Sequence, residues 1–215
     1  MGIAELDDKV RQVTLHSTIV LYGNAAGEDL AKAVAADIQS HWNEPIAEIK
    51  IKSVVYRVVF DITGLYAPQL QPREVYENDN AFMNYFRIEE KLTGNISFVD
   101  GLKSNTGMFQ LDNLLNNSTT ASHEFGHTLG LDHPADLDIR GQGQPGIMFP
   151  RGTIVDAQYQ YDPTAAPQTN GGTLNPFLRK VLQSDIHDLQ FQTLRYNKSG
   201  LAILGNFSSV WHEAH

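Results

Sequence analysis

The stretch His123-Glu124-Phe125-Gly126-His127-Thr128-Leu129-Gly130-Leu131-Asp132-His133 limits what this chain can fold into more than any other. Two histidines four positions apart lie on one face of a helix, one turn above the other, so both imidazoles can reach a single ion. The spacing predicts a helix over about 119–129, with Gly130 as its stop. Glycine can take the positive φ that turns the chain back, and such a turn delivers His133 to the same ion. Zinc in a catalytic site takes three protein ligands and keeps a fourth position open for water. Glu124, beside the first ligand, can project towards that water. Zinc lowers the pKa of water to about 7, and a carboxylate within hydrogen-bond reach can take its proton as it attacks a carbonyl. The pattern therefore points to hydrolysis, with His123, His127 and His133 as metal ligands and Glu124 as general base. A bare His-Glu-x-x-His can also be a charged helical face. That reading leaves Gly130 and His133 unexplained, and a core-facing helix gains nothing from neighbouring histidines and a glutamate.

The chain has no cysteine, which excludes disulfides, thiolate ligands and a cysteine nucleophile, so any metal must be held by His, Asp or Glu. Twenty-five acidic residues against 16 basic ones give a net charge of -9, a poor match to nucleic acid or an anionic membrane. With 215 residues, 41% hydrophobic and 19% charged, one compact catalytic domain over 1–215 is expected. No stretch approaches the length of a membrane span, and the start, MGIAELDDKVRQ, lacks the apolar core of a signal peptide. Whatever exports the protein is expected to lie outside this sequence. No nucleophile elbow supports serine chemistry.

Along the chain, Gln12 to Gly23 is rich in β-branched residues and reads as a first strand. Leu30, Val34, Ile38 and Trp42 recur every four residues and predict an amphipathic helix from Glu28 to Asn43. Ile49 to Ile62 reads as one long strand, or two broken near Ser53. A connecting region with Pro68 and Pro72 follows, then short strands at Tyr85 to Ile88, Ile96 to Val99 and Met108 to Leu111. From Pro134 to Pro176 the chain reads as mostly loop. A last helix is expected to start at Ser184 and to carry Ile186, Leu189 and Leu194 towards a core.

HEFGHTLGLDH fits H-E-x-x-H-x-x-G-x-x-H, the metzincin zinc-peptidase signature, and Gly146-Ile147-Met148-Phe149-Pro150 resembles the methionine turn that the clan carries downstream. The resemblance covers roughly 14–196, and its specific part is His123 to His133 with Met148. It implies an α+β fold: a twisted, mixed and mostly parallel sheet with an antiparallel edge, backed by the Glu28 helix and the zinc helix. An upper part over 1–133 and a smaller, loop-rich lower part over 134–215 would flank the cleft. It further implies zinc as cofactor, a protein or peptide substrate paired along the edge strand at Ile96 to Val99, a monomer, and action outside the producing cell. Asp185 is similar to an aspartate that hydrogen-bonds the methionine turn in matrix metalloproteinases; a first-turn charge on a helix is the rival reading. Arg151 to Asp156 falls where the clan shapes the pocket for the residue after the scissile bond.

Pro134 is serralysin-like, yet the glycine-rich calcium repeats are missing. Pro150 stands where astacins and serralysins place a tyrosine ligand, which brings the pattern closer to matrix metalloproteinases. Their thiol latency switch cannot exist here. Asp7 and Asp8 could act as a carboxylate switch, against the plainer reading of solvated tail charges. Asp132, Asp136 and Asp138 could line a structural calcium loop, against that of solvated loop carboxylates. His16, His41, His187, His212 and His215 lack ligand spacing and read as surface or structural residues. Two rivals stand beside a free protease: an inactive module with a structural zinc, closed by a fourth protein ligand, and a toxin or effector cargo with the same chemistry.

Overall fold

The computed structural model describes residues 1–116 and 118–213, so the expectation for His215 lies outside it. Strand β1 (Gly2–Asp7) runs antiparallel to β2 (Gln12–Tyr22), the strand on which the sheet is built. β2 alternates between partly exposed and buried residues at first and is buried throughout from Ile19 to Tyr22, as a strand covered on both faces must be. Helix α1 (Glu28–Asn43) follows as predicted, with Val34, Ile38 and Trp42 buried and Leu30 packed at the margin of the core. The expected long strand is two, β3 (Glu48–Ile51) and β4 (Val54–Tyr66). They form an antiparallel hairpin broken at Lys52 and Ser53, which take φ of 46° and 74°.

Helix α2 (Pro72–Tyr76) occupies the region expected to be only a connection; proline sits in its first turn, and the Gln71 N–H donates to Glu74 Oε2 at 2.8 Å. Then come β5 (Met83–Glu89), β6 (Phe98–Val99) and β7 (Thr106–Gln110), helix α3 (Thr120–Leu129), helix α4 (Gln183–Asp188) and β8 (Leu201–Leu204). The sheet order is β3-β4-β2-β5-β7-β6, with β1 added to β2 and β8 to β1. The β2–β4, β2–β5 and β5–β7 pairs are parallel, and the edge pairs β3–β4 and β6–β7 are antiparallel. This is the mixed α+β architecture that was expected. The N-terminal segment, read as a tail, instead forms β1 and pairs with β8.

The last helix also differs from expectation. It starts at Gln183 because Asp185 Oδ2 accepts from the Leu182 N–H at 2.7 Å, and it stops by Gln190, whose φ of 52° cannot continue a helix. Leu194 is reached through a single 3-10 turn at Phe191–Thr193. The segment between α3 and α4 is mostly loop, tied by isolated bridges such as Gly146 to Lys180. Among the described residues no helix is long and apolar enough to cross a membrane.

Trp42 couples the layers. Its ring lies 5.1 Å from that of Phe60 on the sheet and 5.9 Å, edge-on, from that of Phe125 on α3, and its Nε1 donates to Ser122 O at 3.1 Å. α3 is thereby pressed against α1 at Gly126. A Cβ there would meet Met148 Sδ far inside van der Waals contact and Trp42 Cζ2 at 3.3 Å. Alanine ordinarily favours a helix interior over glycine by about 0.8–1.0 kcal/mol. We expect overpacking to reverse that sign here, so that Gly126→Ala is destabilised by about 1–3 kcal/mol in thermal or urea unfolding. A variant as stable as the parent would mean that α3 has room to move.

Candidate metal centre

Every member of the site is placed by α3 and the chain that leaves it. Gly130, at φ 103°, ends the helix in a Schellman turn. Its N–H donates to His127 O at 3.1 Å, and that of Leu131 to Gly126 O at 3.0 Å. The turn reverses the chain and leaves Leu131 O facing His127 Nδ1, which donates to it at 2.7 Å. His123 Nδ1 donates to Ile147 O, also at 2.7 Å. With the Nδ1 protons committed, His123 and His127 present unprotonated Nε2 atoms to the cleft. His133 Nε2 lies 3.1 Å from the first and 3.2 Å from the second.

These distances test the fit to a metal. Nitrogens about 2.0–2.1 Å from a tetrahedral ion stand about 3.3–3.4 Å apart, close to the spacing found. Two Nε2 lone pairs fixed this way repel one another unless a cation, or a proton on His133, lies between them. Desolvation holds the rings below the ordinary histidine range, most strongly at buried His123, where the nearby Arg179 charge adds to it, and with less weight at His133, which is exposed on one side. They are therefore neutral at pH 7, as a metal requires. Among the described residues these three form the one group of histidines and carboxylates gathered closely enough to hold an ion. Asp132, Asp136 and Asp138 do not gather. Asp132 accepts from the His133 N–H, Asp136 from the Asp138 N–H, and Asp138 is bound to Arg140 at 2.6 Å, so the calcium loop is unsupported. Asp7 caps the turn after β1 and Asp8 accepts from the Tyr56 hydroxyl, which engages both in the N-terminal turn.

The three rings open on a cleft of about 470 Å³ lined by Ser97 to Val99, Glu124, Arg151 and Arg179. Glu124 is buried, and desolvation pushes its carboxyl up to about 8, against the pull of Arg179 and of the Val99 N–H. Strand β6 lines the cleft and ends the sheet, with its own Phe98 37% and the neighbouring Ile96 63% exposed.

Beneath α3, Met148 is 3% exposed and packs on Gly126. Its turn is anchored by Asp185, which accepts from the Leu182 and Ile147 N–H groups while burial pushes its carboxyl up to about 6. Of the segment expected to shape the pocket, only Arg151 and Gly152 reach the cleft; Ile154 turns back to pair with Leu137 O. Arg179 was not identified from the sequence. It is 5% exposed, burial lowers it to about 10, so it stays charged at neutral pH, and it lies 56 positions from His123, where no spacing rule could flag it. The remaining described histidines stay outside the site: His16 joins Glu5 and Asp61, His212 joins Asp100, and His187 is exposed.

No family model matches the chain, and no curated protein matches its sequence. Among solved structures it is similar to that of myroilysin, at 12% identity over 89% of this chain and 99% of that chain, with a TM-score of 0.39. A likeness that distant leaves the site's own geometry to carry the functional assignment.

Two outcomes are expected. Asp185→Ala leaves backbone donors of the methionine turn unpaired and should lower stability by about 1–3 kcal/mol, whereas the nearly volume-conserving Met148→Leu should cost less than about 1.5 kcal/mol. Equal unfolding midpoints for Asp185→Ala and the parent would remove the anchor. The second concerns protons. Without metal, Glu124 at about 8 is protonated at pH 7. A dication favours its carboxylate form, so binding expels that proton, and zinc affinity should weaken as pH falls below about 8, by nearly tenfold per unit. The histidines, already neutral, add nothing until below about 6.5. Glu124→Gln should flatten the slope between those limits. A flat affinity in the parent would show Glu124 ionised before the metal arrives.

Proposed function

We propose that the chain is a zinc-dependent endopeptidase in which His123, His127 and His133 hold the ion and Glu124 moves the proton. The observation that carries this reading is the gathering of the three rings, with His133 Nε2 at 3.1 and 3.2 Å from the Nε2 atoms of His123 and His127, opening on a cleft whose one carboxylate is Glu124. When bound there, zinc supplies Lewis acidity that polarises a carbonyl and brings the pKa of water to about 7.

The chain's own residues do the rest. β6 offers its outer edge to an extended peptide, with main-chain hydrogen bonds fixing register and side chains alternating towards and away from the cleft. Burial keeps Glu124 among fixed dipoles rather than water, where proton transfer needs little solvent reorganisation. Glu124 takes a proton from the attacking water and returns it to the leaving amine, so one carboxylate serves both halves of the reaction. The Ile147 and Leu131 carbonyls hold two imidazoles in one tautomer throughout. The matrix-metalloproteinase-like reading of the part after His133 draws on Asp185 beside the methionine turn. A closed structural zinc would call for a fourth protein ligand, and the gathered group has three members among the described residues.

The test combines metal analysis with hydrolysis of a peptide library. About one zinc per chain is expected in the parent and much less in His127→Ala. Glu124→Gln should retain zinc and fold while losing about two orders of magnitude or more in kcat/KM. Full zinc occupancy in His127→Ala, or near-parental turnover in Glu124→Gln, would overturn the assignment.

A further inference from the structure

Arg179 has no task in peptide hydrolysis as carried by the histidines and Glu124, yet it occupies an expensive position. A guanidinium is rarely buried without a carboxylate partner. Here Nε donates to Thr119 Oγ1 at 3.0 Å and Nη1 to Phe149 O at 3.0 Å. Nη1 also lies 2.9 Å from His123 Nδ1, but the proton on that nitrogen is directed to Ile147 O, so it offers no acceptor. Nη2 has no hydrogen-bond partner among the described residues, and no carboxylate there lies within ion-pair distance of the group. The side chain lines the cleft.

Arg151 is the second guanidinium of the same cleft. It is exposed at the rim and loosely tied to Asn113 Oδ1 at 3.4 Å, and its charge acts on Arg179. Two like charges converge there in a chain of net charge -9, so the pair does not reflect a generally basic surface. Each raises the cost of holding the other, and an anion between them would relieve it. The one carboxylate lining the cleft, Glu124, is committed to proton transfer. With Nε and Nη1 already bonded, Nη2 is the part of the guanidinium left to donate into the cleft, and a charge-assisted bond to a carboxylate would use it, which fits Arg179 to recognition rather than to bracing alone. Glu124 and Arg179 line the same cleft and are each other's foremost charged neighbours, so a substrate carboxylate held by Arg179 would lie near the group that returns the proton to the leaving amine.

We propose that Arg179, assisted by Arg151, binds the side-chain carboxylate of the substrate residue that supplies the leaving amine, so that the chain cleaves before aspartate or glutamate. The inference rests on the endopeptidase reading, and the experiment separates the two. The zinc-loaded full chain is given paired fluorogenic peptides identical except for Asp or Asn directly after the scissile bond. We expect kcat/KM about tenfold or more higher for the Asp peptide, as for loss of a charge-assisted pair. Arg179→Gln should bring that ratio near one; a role in bracing alone would lower both rates and keep the ratio. Should Arg179→Gln fail to fold, Arg151→Glu reverses the charge at the exposed rim and should cut the ratio severalfold.

Equilibrium binding of short product peptides beginning with Asp or Asn is measured alongside. Equal cleavage of the pair, or a ratio unmoved by both variants, overturns the proposal and leaves the endopeptidase standing. If neither peptide is cleaved and the library yields no product, the endopeptidase reading fails. The binding pair then decides: clearly tighter binding of the Asp peptide supports carboxylate recognition, and equal binding overturns it.

Discussion

Two hydrogen bonds, each 2.7 Å long, join the fold to its chemistry: His123 Nδ1 to Ile147 O and His127 Nδ1 to Leu131 O. A neutral imidazole has one donor and one acceptor nitrogen, so a carbonyl that captures the first decides where the second points. The two carbonyls come from different sources. Leu131 O belongs to the turn that ends α3, so His127 is oriented by its own helix. Ile147 O comes from beyond the long loop and must be carried beneath α3 by other means. Met148 packing on Gly126, Asp185 on the Ile147 N–H, and the Lys180 N–H on Pro145 O at 3.0 Å together fix that approach. The loop-rich region after His133 is thus a structural part of the three-histidine site, although it contributes no further histidine to it.

Burial sets the charge states of the same groups. Nine of the ten residues of α3 are buried, an environment that penalises any ion. His123 stays neutral in response, and the same burial pushes the Glu124 carboxyl up to about 8. A nearby positive charge would offset that cost, and the foremost one that Glu124 faces is Arg179. Packing around Trp42 keeps those groups from relaxing away, so the unfavourable electrostatics are held in place by the core rather than relieved by motion.

What was legible in the sequence was local. The α1 face followed from a four-residue recurrence, and the gathering of His123, His127 and His133 from one helical turn plus one glycine, because both are fixed within a few residues by backbone geometry. The break near Ser53 was readable, as one of two readings, for the same reason, whereas the mixed sheet came only from the resemblance. Pairings set by distant partners were not. β8 is a short strand whose sheet partner, β1, lies across nearly the whole chain, and β1 is itself held between β2 and β8, so neither carries enough pattern alone. The early end of α4 depends on Gln190 adopting a left-handed conformation without being glycine, which only its surroundings can impose. Arg179 was invisible because a lone arginine in a loop is ordinary until the loop is folded under the cleft.

Net charge is a weak guide to what such a cleft can hold. Surface carboxylates spread over the molecule act through water and salt, which screen them over about 8–10 Å. The Arg179 guanidinium acts from a site that is 5% exposed, where screening is slight and a hydrogen-bonded carboxylate would replace lost hydration directly. An overall charge of -9 therefore argues against nucleic acid, which needs a continuous basic surface, without arguing against an acidic side chain, which needs only a fork of donors in the right place. The same acidic surface can coexist with a locally cationic pocket because the two fields fall off over different distances. In this chain two guanidinia and a single carboxylate, Glu124, line the cleft, and burial pushes that carboxyl up to about 8, so the local field is positive where the global charge is not.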